Sequence, residues 1–353
     1  MHNLSIKQKW VLSVIVTLVM VVCIQNTAIA AAKKIYWSEW GKISRANLDG
    51  SNVEDVIKGL VYAKDISLDF QNNTIFWIEE DIAKFNDVTL GYNKIMRANS
   101  DGTHIEEIFG GYHVPPEGGS AGKDCIGNVC RGWIQPEGED SVDIDPELLF
   151  LPQCIALDNQ KNQIYWVDVA HRKYKRSNLD GTDVEDVKDM KNTSTWDMKL
   201  DLKQGKLYWV VLSIRQILRM NLDGSDVEVI LDDWHSRILS IGLDVDARKI
   251  YWTGSSSIHR ASFNGAHIKT VITGLKEPNH LVVDEKTRKM YWSARDGKEV
   301  MYKIQQANLN GSNVRDVVTG LHSINGLALD SEGIYAVDPA GKLTTIWADV
   351  KAD

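Results

Sequence analysis

The chain has 353 residues, 43% of them hydrophobic, with 7 prolines and 12 tryptophans, and it carries 40 Lys and Arg against 48 Asp and Glu for a net charge of −8. The length allows one large or two ordinary domains, and the composition excludes a disordered linker. The acidic balance excludes capture of nucleic acid or of an anionic bilayer through bulk electrostatics.

In chain order, residues 1–30 read as a secretory signal. Lys7 and Lys9 precede the apolar run "VLSVIVTLVMVVCI", and "NTAIA" then sets Ala28 and Ala30 in an A-x-A pattern. Cleavage is expected after Ala30, with an uncleaved membrane anchor as the alternative. Val21 and Val22 stand where small residues would be wanted beside a lipidated Cys23. Losing the leader leaves 38 basic residues against 48 acidic, a charge of −10. No second apolar run is long enough to span a membrane. The expectation is a protein exported to the periplasm or the medium, then soluble, with residues 31–353 forming a single domain.

The first unit after the leader is "IYWSEWGKISRANLDGSNVEDVIKGL", Ile35 to Leu60. Its Tyr-Trp element returns as "IFW" at Ile75, "IYW" at Ile164, "LYW" at Leu207, "IYW" at Ile250 and "MYW" at Met290, with a decayed "IYAVD" at Ile334. Its Asn-Leu-Asp-Gly element returns as "NSDG" at Asn99, "NLDG" at Asn178 and Asn221, "FNG" at Phe263 and "NLNG" at Asn308. A short apolar piece precedes each later Tyr-Trp and ends in Asp69, Asp158, Asp201, Asp244, Asp284 or Asp330. The aromatic pairs recur every ~40–44 residues, the period of a four-stranded propeller blade. Each unit resolves into a buried apolar strand, the Tyr-Trp strand, a basic alternating strand, a tight Asp-Gly or Asn-Gly hairpin, and an outer strand.

The gap from Phe76 to Tyr165 is about double the period. It is read as two loop insertions, at about 79–93 and 110–149, rather than a lost blade. The second is rich in Gly and Pro and contains Trp133 and the pair Cys125 and Cys130, a plausible loop disulfide in an oxidising compartment. Cys154, in "FLPQCIALD", reads as a small core residue. A zinc site lacks a second C-x-x-C or paired His.

These motifs resemble the low-density-lipoprotein-receptor class B, or YWTD, repeat, over Lys33 to about Trp347. The resemblance implies an all-β fold, a six-bladed β-propeller of four-stranded antiparallel blades, with a seven-bladed form having incomplete terminal blades as the alternative. It also implies that the repeat aromatics pack between blades. The first unit lacks an inner strand, which the C-terminal "GLALD" would supply. The family's aspartate at the end of the motif is kept only as Asp168 and Asp338. Glu39 and Glu79 replace it in two units, and Val211, Gly254 and Ala294 in three.

Ligand sites of such propellers lie around the central channel on the face opposite the Asp-Gly hairpins. Candidate rim residues there are Glu39, Trp40, Tyr62, Asp168, Trp196, Arg215, Trp234, His235, His280, Arg295 and His322, joined by Trp133 from the insertion. Aromatics and Arg dominate binding hot spots, and both insertions fall on this same predicted face. For any single aromatic, packing within the channel is the competing role.

No G-x-S-x-G elbow, H-E-x-x-H, P-loop or Rossmann glycine pattern is present. The enzyme alternative is a lactonase- or gluconolactonase-like hydrolase with a divalent cation in the channel, held by residues such as Glu39, Asp168, Asn279 and Asn325. A third reading is a rigid scaffold of an envelope assembly. The expectation adopted is a non-enzymatic recognition module that needs no cofactor, binds a protein or glycan on the insertion-bearing face, and has no nucleic-acid partner. A solitary propeller behind one signal, without Cys-rich flanking modules, is the pattern expected of a bacterial exported protein.

Overall fold

In a computed structural model of the protein, the described residues are 33–85, 88–110, 119–126, 129–136, 142–143, 151–190, 195–232, 237–297 and 301–330, and side chains are described outside 81–92 and 119–143. The expected leader, the "IYAVD" tail, Trp234, His235 and the side chains of Cys125, Cys130 and Trp133 lie outside the described residues.

The described chain forms strands throughout, with no helix. In order these are β1 (Lys34–Asn47), β2 (Glu54–Asp69), β3 (Thr74–Phe85), β4 (Val88–Asn99), β5 (Glu106–Gly110), β6 (Gly119–Ile126), β7 (Val129–Pro136), β8 (Val142–Asp143), β9 (Pro152–Asp158), β10 (Gln163–Asp168), β11 (Lys173–Asn178), β12 (Glu185–Asp189) and β13 (Thr195–Asp201). There follow β14 (Lys206–Val211), β15 (Gln216–Asn221), β16 (Glu228–Asp232), β17 (Ile241–Asp244), β18 (Lys249–Thr253), β19 (Ser257–Ser262), β20 (Lys269–Thr273), β21 (Asn279–Asp284), β22 (Lys289–Arg295), β23 (Tyr302–Asn308), β24 (Arg315–Leu321) and β25 (Gly326–Leu329).

The blades among the described residues number five, which corrects the expectation of six or seven. Four are four-stranded: β9 to β12, β13 to β16, β17 to β20 and β21 to β24. The fifth is a six-stranded sheet of order β25-β1-β2-β3-β4-β5. It arises because β2 does not break between repeat units. Its first half pairs with β1, at Ile43↔Ile57 and Arg45↔Glu54. Its second half pairs with β3, at Ile66↔Trp77 and Leu68↔Ile75. The first two repeat units are therefore fused into one double-width blade.

Two insertions depart from the repeat. Residues 79–93 extend β3 and β4 as one long hairpin, paired out to Phe85↔Val88. Within 110–149, β6, β7 and β8 make a small separate sheet in which Cys125 stands opposite Cys130.

The "GLAL" of β25 pairs antiparallel with β1, from Ile35↔Leu329 to Ser38↔Gly326, so the two ends of the described chain meet in one sheet. Closure is reinforced at the hairpins. Each Asp-Gly turn rests on the outer strand of the preceding unit, and glycine is required there. A Cβ on Gly224 (φ 83°) would lie 2.1 Å from the Val187 carbonyl oxygen, and one on Gly50 (φ 90°) 2.0 Å from that of Val317.

Consecutive residues of a strand point to opposite faces, so each Tyr-Trp pair serves two neighbours. Tyr165 packs with Trp209, Tyr208 with Trp252, Tyr251 with Trp292, Tyr291 with Trp37, and Phe76 with Trp166, each pair within one buried cluster. The core is thus a series of seams between units, built by the residues that repeat.

The residue two positions after each Trp lies on the same face as the indole. Glu39 Oε1 accepts the Trp37 indole N–H (2.8 Å) and Glu79 Oε2 that of Trp77 (3.3 Å). Where Gly254 and Ala294 stand in that place, the buried Nε1 atoms of Trp252 and Trp292 have no hydrogen-bond partner. The aspartates that end the apolar inner strands fold the following turn. Asp69 Oδ1 accepts the N–H of Gln71 and Asn72, Asp158 Oδ1 those of Gln160 and Lys161, and Asp284 Oδ1 those of Lys286 and Thr287.

Candidate binding cavity

The inner strands begin around a central cavity of about 680 Å³, and every repeat unit contributes to its wall. Asp65 comes from β2, Gln153 from β9, Asp197 from β13, Ser240 from just before β17, Asn279 and His280 from β21, and Asn325 from just before β25.

The residue four places before the strand-ending aspartate is Asp65, Cys154, Asp197, Ser240, His280 or Gly326. At three of these positions a side-chain oxygen binds the next unit. Asp65 Oδ2 accepts the Ile155 N–H (2.9 Å), Asp197 Oδ2 accepts the Ile241 N–H (2.8 Å) and the Ser240 hydroxyl (2.6 Å), and Ser240 Oγ accepts the Leu281 N–H (2.8 Å). Cys154 and Gly326 have no such oxygen to offer. In the units that follow them, the aspartates turn their second oxygen inward: Asp197 Oδ1 accepts the Met198 N–H (2.8 Å) and Asp65 Oδ1 the Ile66 N–H (2.9 Å). Five of the backbone N–H groups around the ring, those of Ile66, Ile155, Met198, Ile241 and Leu281, are thereby satisfied, as buried donors must be.

Lys199 reaches into this ring and donates to Asp197 Oδ1 (2.6 Å). Burial would lower its pKa, but the carboxylates of Asp197 and Asp65 more than offset that and hold it above the usual lysine value. Burial pushes the Asp65 carboxyl up to about 6, with Lys199 opposing and Asp197 adding to the rise. Burial brings the His280 imidazole down to about 4, with Asp197 opposing. At neutral pH the cavity floor therefore holds the Asp65 carboxylate, the Lys199 ammonium and a neutral His280 imidazole. Burial also raises the Cys154 thiol well above its ordinary value, leaving it an unreactive core group.

Above the floor the rim is aromatic. Trp40 is 70% exposed and stands edge-on to Tyr62, ring centroids 5.5 Å apart. The Tyr62 hydroxyl donates to Asn325 Oδ1 (3.3 Å), whose Nδ2 has no partner. Trp196 is 40% exposed and lines the cavity. Across the mouth, Arg295 pairs with Glu277 (3.3 Å) and lies over the Tyr302 ring at 6.0 Å.

Of the residues expected on the rim, Tyr62, Trp196 and His280 line the cavity, and Trp40 and Arg295 touch its lining. Glu39 is buried beneath Trp37 as its indole acceptor and lies 3.5 Å from the Lys42 ammonium. Asp168 is buried and bonded to the His171 ring (2.6 Å). Arg215 occupies a turn at φ 55°, and His322 is exposed outside the lining. Asp65, Asp197, Lys199, Ser240, Arg237 and Glu277 were not anticipated. Aligning the repeat units at the strand-ending aspartate would have exposed the first two and Ser240, because the fourth residue before it is Asp in two units and varies among Cys, Ser, His and Gly in the others.

Asn279 and Asn325, two of the residues considered for a channel cation, reach the cavity, whereas Glu39 and Asp168 do not. Among the described residues no three His, Cys, Asp or Glu side chains gather as a metal cage requires. Among the described residues there is no helix long and apolar enough to cross a membrane.

No protein-family model matches the chain. It is 26% identical over 173 residues to low-density lipoprotein receptor-related protein 1 of Pyricularia oryzae, a match covering 38% of this chain and 53% of that protein. The chain thus spans about half the length of the curated relative it matches. Among solved structures it is similar to a chain of the nidogen/laminin complex, with a TM-score of 0.60, 15% identity, and coverage of 84% of this chain and 98% of that one. It is also similar to TolB from Acinetobacter baumannii, at TM-score 0.57 and 10% identity over 84% and 66% of the two chains. A Bacteroides uniformis chain provisionally named a 6-phosphogluconolactonase gives TM-score 0.51 and 10% identity over 84% and 99%. At these identities the likeness is one of fold, a β-propeller.

Proposed function

We propose that the protein is an exported, non-enzymatic recognition propeller that takes a protein partner at the mouth of the central cavity. The observation that carries this reading is the pairing of two exposed tryptophans, Trp40 and Trp196, with a polar cavity to which every repeat unit contributes. Exposed aromatics cost free energy in water and return it when a partner covers them, so their gathering at one mouth favours an interface. The floor groups are committed to joining neighbouring units, as Asp65 and Asp197 show, and this favours binding over catalysis by them.

Two likenesses support the reading without fixing it. The nidogen chain was solved in complex with laminin, a protein partner. The leader pattern of residues 1–30 and the likeness to TolB favour a place outside the cytoplasm. A glycan partner would use the same aromatic mouth.

The test is partner capture by the wild type and by the Trp40→Ala, Trp196→Ala double variant, with thermal melting to establish that both are folded. The double variant is expected to lose the partner by at least ~10-fold in affinity. Equal capture by both folded proteins would remove the cavity mouth as the interface. Export is tested separately by fractionation of the source cells.

A further inference from the structure

The hairpin corner of the fifth repeat unit inverts the charge of its counterparts. In the first four units the turn carries Asp49, Asp101, Asp180 or Asp223, and the outer strand begins with a glutamate bonded to the arginine across from it. Those pairs are Arg45 with Glu54 (2.7 Å), Arg97 with Glu106, Arg176 with Glu185 (2.6 Å) and Arg219 with Glu228 (2.6 Å). In the fifth unit the turn residue is Asn264, and Arg260 faces Lys269 instead of a glutamate. From 247 to 276 there is no acid at all, but Arg248, Lys249, Arg260, Lys269, Lys276, His259 and His267. In the sixth unit Gln306 faces Arg315, a single cation.

At this corner lies a second cavity, of about 270 Å³, lined by Arg248, Lys249, Ser262, Asn264 and His267 with Ala247 and Phe263. Arg248 and His267 are exposed and held in left-handed turns, φ 54° and 60°. Asn52, Asn73, Asn162, Asp183 and Asp226 adopt the same conformation at the matching places of other units, and His104 and Arg288 each do so singly, so the backbone is that of the repeat and the new feature is an Arg and a His brought together at one corner. Lys249 donates to Ser262 Oγ (2.8 Å), which fixes its ammonium at the cavity wall. The acids that flank the corner are already matched: Asp246 is bonded to Lys203, and Glu228 to Arg219. The cavity shares no residue with the central one.

We infer that this corner is an anion-binding site for a sulfate or phosphate ester carried on a glycan chain. Arg248 is the one guanidinium in the wall, flanked by an ammonium, an imidazole, a hydroxyl and an amide. Donors arriving from several directions suit a tetrahedral oxyanion, whereas a planar carboxylate is best met by an arginine fork in its own plane. Lys269, directly across β19–β20 from Arg260, extends the positive row beyond the cavity. A chain bearing several esters would engage both, which a free ion would not.

The test measures binding of a heparin-derived dodecasaccharide to the purified protein in moderate salt, beside inorganic phosphate. The wild type is expected to bind the oligosaccharide with an affinity that falls as salt rises. Arg248→Glu and Lys269→Glu should each weaken it by about tenfold, with Arg248→Gln as a gentler variant should the reversal disturb folding. Lys58→Glu, an equal change of charge at an exposed lysine of the first unit, should leave binding within about twofold. No binding by the folded wild type, an equal loss in Lys58→Glu, or inorganic phosphate binding as tightly as the oligosaccharide would each overturn the inference.

Discussion

The two ends of a repeat unit follow opposite rules. At the hairpin end, four of the units carry the same Asn-x-Asp-Gly turn with the same bonds: Asn178 Nδ2 donates to Thr182 Oγ1 and Asn221 Nδ2 to Ser225 Oγ, just as Asn47 Nδ2 donates to Ser51 Oγ. At the cavity end, the matching position is Asp65, Cys154, Asp197, Ser240, His280 and Gly326 in turn. What repeats is architecture, fixed by close backbone contact. What varies carries the chemistry, and in the fifth unit, and to a lesser degree the sixth, the hairpin end also varies.

The comparison can be broken most severely at the hairpin end. Gly224→Val places a side chain where 2.1 Å separates the Cβ from a backbone carbonyl and demands φ 83° of a β-branched residue. A loss of more than about 4 kcal/mol is expected, seen as failure to fold or a collapse of the denaturant midpoint. A midpoint within error of the wild type would mean the turns are not pinned to the preceding unit.

At the cavity end, Asp197→Ala strands the N–H groups of Met198 and Ile241, the Ser240 hydroxyl and the Lys199 ammonium together. Denaturation should report a loss of about 3 kcal/mol. Ser240→Ala, which removes one acceptor from Leu281 N–H, should cost about 1–2 kcal/mol.

The same end should reveal two opposing pH slopes. With its pKa pushed up to about 6, folded Asp65 takes up a proton before the unfolded chain does. Relative to Asp65→Asn, the wild type should therefore gain stability as pH falls from about 6 toward the ordinary carboxylate value near ~4. His280, brought down to about 4, behaves in the reverse sense, because the unfolded imidazole protonates first, near ~6.5. Relative to His280→Gln, the wild type should lose stability as pH falls from about 6.5 toward 4. Melting curves of the three proteins across this range check both signs, and parallel curves would show that neither group is perturbed.

The smallest effect repairs a gap in the seams. Ala294→Glu supplies the indole acceptor that Glu39 provides for Trp37, and Lys303 lies across from it in the register. A gain of about 1 kcal/mol is expected; a loss would mean the buried carboxylate is not met by the Trp292 N–H.

Much of this was legible in the residues. The Tyr-Trp pairs announced both strand and seam, since alternation forces Tyr and Trp to opposite faces, and Tyr208 beside Trp252 is the result. Closure through "GLAL" followed from a first unit without an inner strand. The blade count did not follow, because nothing in "VIKGLVYAKDISLD" marks whether the chain breaks between outer and inner strand or runs through as β2 does. Glu39 was misplaced for a related reason: a charged residue after a Trp reads as rim, yet spacing of two turns it back onto the indole. Asp65 and Asp197 resemble ordinary turn residues in sequence, and their role depends on a neighbour from a different unit, Ile155 or Ile241, far along the chain.

The central claim is that partners are taken at the aromatic mouth and not elsewhere on the propeller. The most direct measurement is cross-linked capture from the source's extracytoplasmic fraction with three folded baits: wild type, Trp40→Ala with Trp196→Ala, and Arg248→Glu. The account predicts a protein recovered with the wild type and with Arg248→Glu but lost with the tryptophan variant. Recovery undiminished in the tryptophan variant would contradict it.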